Sequence, residues 1–181
     1  LKARLVEAAE GLKAGHPLEE DTFLGPLITQ GEAERVEAWV DEATARGAAV
    51  LCGGQRDGAW YAPTWLEGVP HDATVSCEEV FGPVATLEPF TNFADACRVV
   101  DTSAYGLQAG VFTRDLHKAH YAFDHIEVGG VVINDIPSMR VDSMPYGGVK
   151  ASGLGREGIR YAIEHLTERR LMVLRHAGRL G

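Results

Sequence analysis

The sequence contains no long apolar run, little cysteine and no excess of positive charge. No stretch approaches the about 20 apolar residues that span a bilayer, and no charged-then-apolar leader opens the chain, so we expect neither a membrane nor a secreted protein. Lysine and arginine number 17 against 26 acidic residues, a net charge of −9. This balance argues against a nucleic-acid partner.

Cysteine occurs at three scattered positions, Cys52, Cys77 and Cys97. Three cysteines with this spacing exclude a disulfide scaffold and a zinc site. We expect all three to be small buried hydrophobes, and the acidic neighbours Glu78 and Glu79 disfavour a nucleophilic thiolate at Cys77. So little cysteine is typical of a reducing compartment, most simply the cytoplasm.

Apolar residues make up 45% of the 181 positions, which is enough to form the core of a single domain. Leu1, Leu5, Ala8 and Leu12 form one apolar stripe of a helix that is already under way at the first residue. We therefore expect the chain to be a segment of something longer.

Strands and helices alternate along the chain. The predicted helices span Leu1 to Leu12, Thr29 to Gly47, Asn92 to Val100, Leu116 to His125 and Gly158 to Leu166. The predicted strands span 49–52, 60–69 (with Pro63 moving that part towards a sheet edge), 84–90, 109–112, 128–134 and 171–174. This order favours an α/β fold with a largely parallel sheet flanked by helices.

A long irregular segment, Asp135 to Gly155, is rich in proline and glycine, and structureless connections of this length are often functional. It runs into Gly153–Gly158, which fits the dinucleotide pattern G-x-G-x-x-G. No strand directly precedes these glycines and no acid follows about 20 residues later, so turn chemistry is the better interpretation. His117 and His120 share a predicted helix face without a third ligand, which favours solvated surface over a metal site.

The segment Glu78–Val84 pairs a carboxylate with an aromatic ring. Glu79 and Phe81 are two residues apart and therefore share one side of an extended backbone. Such a pair suits a flat polar ligand, because the acid accepts hydroxyl hydrogen bonds and the ring stacks. A salt bridge with a core phenylalanine is the alternative, and these residues alone do not decide between the two.

Several ordered motifs together resemble the NAD(P)-dependent aldehyde dehydrogenases. The segment Glu78–Val84 resembles the glutamate-glutamate-aliphatic-phenylalanine-glycine-proline signature of that family. The other matching segments are Leu24–Ile28, Tyr105–Thr113, Val128–Asn134, Met144–Lys150 and Ser152–Gly158, in the family's order and spacing. The resemblance covers essentially the whole chain, and it implies the C-terminal part of a catalytic domain over 1–181.

The resemblance also implies roles for individual residues. Glu79 would hydrogen-bond the ribose next to the nicotinamide of NAD or NADP, and Phe81 would pack against that end of the cofactor. Tyr146 would form an aromatic wall for a small aldehyde substrate, and the loop from Asn134 to Ser143 would shape the far end of that site. Independently of the resemblance, the charged residues Arg140 and Asp142 in the same loop would meet a polar or anionic aldehyde or would be solvated loop charges.

The sequence departs from the family at the catalytic groups. The 181 residues do not contain the glycine-glutamine-x-cysteine motif of the nucleophile, the glutamate motif of the general base or the cofactor domain. We therefore expect no catalytic residue in this chain and no dehydrogenase activity from it alone. The alternatives are a binding or assembly module derived from a dehydrogenase, or an unrelated cysteine hydrolase using Cys77.

Association is expected from the terminal segment. Leu171–Leu174 is a short apolar strand in the prediction, and the family resemblance implies that subunits pair at sheet edges near this terminus. The residues 168–181 are therefore predicted to be a terminal strand and tail that contribute to a homo-oligomer.

Overall fold

The computed structural model describes residues 1–175 and 178. The chain forms two compact units, Leu1–Thr91 and Asn92–Gly181. Both units combine helices with β-strands, so the predicted α/β class is confirmed. The expectation of one domain over 1–181 stays a prediction, because one domain can contain two such units.

The first unit contains three helices and five strands. Its elements are α1 (Lys2–Glu10), α2 (Gln30–Ala45), β1 (Ala49–Cys52), β2 (Arg56–Asp57), β3 (Trp60–Tyr61), β4 (Thr64–Glu67), α3 (Thr74–Cys77) and β5 (Val84–Leu87). The helix α2 begins where its cap predicts, because Thr29 Oγ1 accepts from the Glu32 amide at 3.2 Å. The Glu32 carboxylate accepts from Arg35 Nε at 2.8 Å, one turn further along the helix.

Strand β4 lies in the middle of the three-stranded sheet β1-β4-β5. The expectation that Pro63 moves this part to an edge was wrong. The predicted strand over 60–69 is divided into β3 and β4, and Pro63 precedes β4 without entering it. Its missing N–H therefore costs no ladder hydrogen bond, and the Thr64 amide donates to the Pro83 carbonyl at 2.8 Å.

The core of the first unit lies between α2 and this sheet. Val36, Val40 and Ala43 of α2 are buried against Leu66 of β4, which has no exposed surface. These are the α2 positions, three or four residues apart, that the apolar pattern predicts for a buried face. Gly47, with φ of +107°, ends the helix as expected.

The second unit contains three helices and four strands among its described residues. They are α4 (Phe93–Asp101), β6 (Tyr105–Gly106), β7 (Gln108–Val111), α5 (Leu116–His125), β8 (Gly130–Ile133), β9 (Val149–Lys150) and α6 (Ile159–Leu166). The small core contains Cys97, Val111, Ala122 and Ile126. The parallel component expected from the sequence lies in β4–β5 and β7–β8, while β1–β4, β2–β3 and β6–β9 are antiparallel.

The terminal segment Leu171–Leu174 differs from its prediction. It is not a strand in the structure, and its four side chains are 78–86% exposed. A strand needs a neighbour for its N–H and C=O groups, and the described part of the chain provides none here. The rest of the predicted tail, residues 176, 177 and 179–181, lies outside the described residues.

No helix within 1–175 combines the length and the apolar character that crossing a bilayer requires.

Candidate functional site

The segment that contains Glu79 and Phe81 contacts the rest of the first unit through alternate residues. The Val80 carbonyl accepts from Arg35 Nη2 at 2.7 Å, and the Val80 side chain packs against the core. Gly82 lies directly on α2, where an added Cβ would come within 2.9 Å of Val36 Cγ2. The inward positions are therefore Val80 and Gly82.

Arg35 is itself held in place. Its guanidinium lies 4.3 Å from the centre of the Trp39 ring and also donates to Glu32. A planar guanidinium that stacks on one side chain and pairs with another loses little further freedom when it donates to a carbonyl. The Val80 carbonyl thus has a rigid donor, which fixes the backbone between Glu79 and Phe81.

Glu79 and Phe81 lie on the outer side of this anchored segment. Glu79 is exposed, and Phe81 is 75% exposed, so the ring is not part of the unit's core as the alternative interpretation requires. Phe81 has φ of +47°, a left-handed conformation that costs a non-glycine residue about 1–2 kcal/mol. This short segment therefore exposes both a carboxylate and an aromatic ring.

In the second unit, Arg140 and Tyr146 meet with a third residue, Glu157. The main chains of Tyr146 and Glu157 form an antiparallel bridge, with N···O distances of 3.2 and 2.5 Å. Arg140 Nη2 lies 3.0 Å from Glu157 Oε2, and the Arg140 Cζ lies 4.5 Å from the centre of the Tyr146 ring. We call these three residues the Arg140 cluster.

Tyr146 and Glu157 also line a cleft of about 360 Å³. Its other lining residues include Leu107, Ser152, Leu154 and His165. The volume lies within the range of small-molecule pockets, about 300–1,000 Å³.

The main chain below this cleft is anchored by an ion pair. Lys150 Nζ donates to the Asp101 carbonyl at 2.7 Å and to Asp101 Oδ1 at 2.9 Å. The hydrogen bond from the Glu127 amide, and then that from Lys150, hold the pKa of Asp101 below its usual value. Lys150 has φ of +54°, so a strained residue is held where β9 leads into the glycine-rich turn.

Asn134 closes a turn at the end of β8. It has φ of +62°, and its Oδ1 accepts from the Thr113 amide at 2.8 Å. The side-chain oxygen Oδ1 of Asn134 therefore links the ends of β7 and β8. The sequence did not indicate this contact.

The glycines that fit the dinucleotide pattern form turns. Gly153, Gly155 and Gly158 all have φ between +79° and +116°, and α6 begins directly after Gly158. These conformations are ones that glycine adopts without strain. Glu157 lies within this run, but no sequence signal pairs it with Arg140, because the contact depends on how the loop folds back.

The three cysteines differ in their exposure. Cys52 and Cys97 are buried as predicted, and burial raises the pKa of the Cys97 thiol. Cys77 is exposed, so the expectation that it is buried was wrong. It is the last residue of the single-turn helix α3, and its Sγ donates to the His71 carbonyl at 3.1 Å. Within the described residues, no group of three or more metal-binding side chains comes together.

A sequence profile described as the aldehyde dehydrogenase family matches residues 1–172. The chain belongs to this family. It is 50% identical, over 94% of its own length and 36% of the relative's, to the 3-sulfolactaldehyde dehydrogenase of Priestia aryabhattai. It is 42% identical, over 94% of its length and 37% of the relative's, to the lactaldehyde dehydrogenase of Methanococcus aeolicus.

Solved structures of aldehyde dehydrogenases have the same fold. Aldehyde dehydrogenase 21 from Physcomitrella patens, in complex with the reaction product succinate, superposes with a TM-score of 0.95 at 49% identity, covering 99% of this chain and 37% of that one. Glyceraldehyde-3-phosphate dehydrogenase from Methanocaldococcus jannaschii, complexed with NADP, superposes with a TM-score of 0.85 at 43% identity, covering 90% of this chain and 35% of that one. The chain thus spans about a third of the length of these family members.

Proposed function

We propose that this chain is a segment of an NAD(P)-dependent aldehyde dehydrogenase that oxidises a small aldehyde to a carboxylic acid. The observation that carries the proposal is the family match over 1–172. Related structures were solved with NADP and with NAD⁺, which supports a nicotinamide cofactor. When bound, that cofactor supplies the hydride acceptor.

Glu79 and Phe81 are the residues we propose for the cofactor. A ribose offers hydroxyl donors, and an exposed carboxylate on an anchored backbone is a suitable acceptor for them. The exposed Phe81 ring offers an apolar face beside that carboxylate. The strained backbone at Phe81 supports a binding role, because left-handed non-glycine residues cluster at ligand sites.

Tyr146, Asn134 and Arg140 are the residues we propose for the substrate. Tyr146 forms a wall of the cleft, Asn134 shapes the start of the loop, and Arg140 binds an anionic group at the far end of the aldehyde. Relatives named for 3-sulfolactaldehyde, aspartate semialdehyde and sulfoacetaldehyde support an anionic substrate. A guanidinium is the side chain best suited to a carboxylate or a sulfonate.

We propose that the 181 residues bind and orient but do not supply the nucleophile. Cys52 and Cys97 are buried, and a buried thiol is disfavoured as a thiolate. The exposed Cys77 has its Sγ engaged with the His71 carbonyl. We further propose a homo-oligomer in the cytoplasm, on the basis of the exposed apolar terminal segment and the three free cysteines.

The test compares the complete gene product with the 181-residue chain. Formation of NADH and NADPH is followed by absorbance over a panel of neutral and anionic aldehydes. We expect turnover by the complete product and none by the 181-residue chain, and the reading frame upstream of Leu1 should encode the cysteine and glutamate motifs.

Two outcomes would contradict the proposal. A complete product that oxidises no aldehyde would favour the assembly module. Turnover by the 181-residue chain that Cys77→Ala abolishes would place the nucleophile in this chain.

A further inference from the structure

The carboxylate of Glu157 ties Arg140 to the wall of the cleft. Tyr146 and Glu157 face each other across their antiparallel bridge, and directly opposed residues of such a pair project from the same face. Arg140 reaches both of them, with Nη2 at 3.0 Å from Glu157 Oε2 and Cζ at 4.5 Å from the Tyr146 ring centre. Two independent contacts therefore define one position of the guanidinium.

Neither contact closes off the guanidinium. The Arg140 side chain remains 43% exposed, and its stacking on Tyr146 uses one face of the plane. A guanidinium carries five N–H donors in a fixed fork, so a carboxylate partner at one nitrogen leaves donors for a second anion. The geometry thus orients the fork beforehand and keeps part of it accessible.

We infer that Glu157 is a positioning residue for substrate specificity: its carboxylate holds Arg140 over the Tyr146 ring so that the guanidinium is preset for an anionic aldehyde. This inference rests on the proposed aldehyde dehydrogenase function and on the substrate role of Arg140. Ordering an arginine before the ligand arrives removes a cost that binding would otherwise include.

The sign of the effect separates this role from simple charge. Glu157 is itself negative, so a direct effect on an anionic substrate would be repulsion, and its removal would tighten binding. Loss of positioning acts in the opposite direction. An exposed ion pair contributes little to stability. If the pair of Glu157 with Arg140 were purely structural, removing it would therefore change neither substrate binding nor stability by much.

The experiment measures KM and kcat of the complete gene product with succinate semialdehyde and with butanal, which has the same number of carbons and no charge. We expect Glu157→Gln to raise KM for succinate semialdehyde about three- to tenfold, the range for ordering one long side chain on binding. KM for butanal, both kcat values and the melting temperature should stay unchanged.

Two further variants complete the design. Glu164→Gln is the matched control, since Glu164, on α6, is also paired with arginines, Arg160 and Arg169. It should leave both KM values unchanged. In a chain that already carries Arg140→Met, Glu157→Gln should no longer change KM for succinate semialdehyde, because Glu157 acts through Arg140.

An unchanged or lowered KM for succinate semialdehyde in Glu157→Gln would overturn the inference, as would an equal rise for butanal. If the wild type oxidises neither aldehyde, the proposed function fails by itself. Calorimetric titration with succinate then decides the inference without turnover. Weaker succinate binding by Glu157→Gln than by the wild type would support it, whereas equal binding or no binding by the wild type would overturn it.

Discussion

The Glu79 side chain is exposed, and the backbone next to it is held by the hydrogen bond from Arg35 to the Val80 carbonyl. In the complete gene product, Glu79→Gln should weaken cofactor binding, because it would replace the proposed charge-assisted hydrogen bond to the ribose by a neutral one. Such a bond contributes about 1.5–3 kcal/mol, so the cofactor Kd should rise by up to about 10- to 150-fold. The melting temperature should not change, since the side chain is exposed.

Fluorescence titration with NADH and NADPH, together with thermal melts, checks this prediction. Glu78→Gln is the matched control, because adjacent residues of an extended segment point to different sides. A lower melting temperature with an unchanged Kd would favour the salt-bridge interpretation of Glu79.

Phe81 is large and apolar, yet it contributes little to the core of the first unit. Because its ring is 75% exposed, Phe81→Ala should change the free energy of unfolding of the 181-residue chain by less than about 1 kcal/mol. Leu66→Ala, at a fully buried position, should cost about 2–5 kcal/mol. Urea denaturation of both variants measures this contrast. Equal losses in the free energy of unfolding would indicate that Phe81 is a core residue.

At the scale of elements, the helices were the most predictable part of the fold. The bounds of α5, Leu116–His125, agree with the prediction, and its cap is local: Asp115 Oδ1 accepts from the His117 amide at 2.9 Å. Asn92 caps α4 in the same way. These signals lie within three residues of the helix start, so the sequence contains them in full.

Strand pairing was less predictable, because partners lie far apart in the chain. The two-residue strands β6 and β9 pair across more than forty residues, and β9 falls inside the segment predicted to be irregular. The sequence left open whether Phe81 is a core residue, and the structure shows that both Glu79 and Phe81 are exposed. The sequence did not show Glu157 beside Arg140, because that contact depends on how the loop folds back through four glycines with positive φ between Tyr146 and α6.

The anchor between β9 and α4 should make the second unit sensitive to acid. The Asp101 pKa is lower in the folded chain than in the unfolded one, so its contribution to stability is present above the usual aspartate pKa of about 3.9. It is lost as the pH falls from there through the lower folded value. Asp101→Asn should therefore lower the melting temperature at neutral pH and flatten its fall below pH of about 4.

Thermal melts between neutral pH and pH of about 3 test this linkage. Asp124→Asn, an exposed aspartate on α5, is the control and should follow the wild-type curve. A wild-type curve that Asp101→Asn merely lowers by a constant amount would show that the charge of Asp101 is not responsible.

At the scale of the whole molecule, large apolar side chains are exposed on α6 and in the segment that follows it. The apolar face of α6 is open, with Ile159 at 73% and Leu166 at 85% exposure, and Leu171–Leu174 follows it. Contiguous apolar surface of this kind is typical of interaction sites. A chain that spans about a third of its relatives' length is expected to show such surface.

The terminal segment gives this surface a specific test. Within the described residues, Leu171–Leu174 belongs to no strand, and its four apolar side chains are exposed. A strand edge of a second copy would therefore satisfy both its backbone hydrogen bonds and its hydrophobic surface. We therefore expect the chain to sediment as a dimer or larger species at micromolar concentration. Val173→Lys should shift it towards monomer, because a charged side chain on a strand blocks edge-to-edge pairing.

Val100→Lys is the matched control for that substitution. Val100 is a half-exposed valine on α4, so the same change of charge there should leave the sedimentation profile as in the wild type. Equal dissociation by both variants would indicate a general effect of net charge, since each adds one positive charge to a chain at −9. A wild-type monomer that Val173→Lys does not alter would contradict pairing through this segment, and the open face of α6 would then remain as the surface to test.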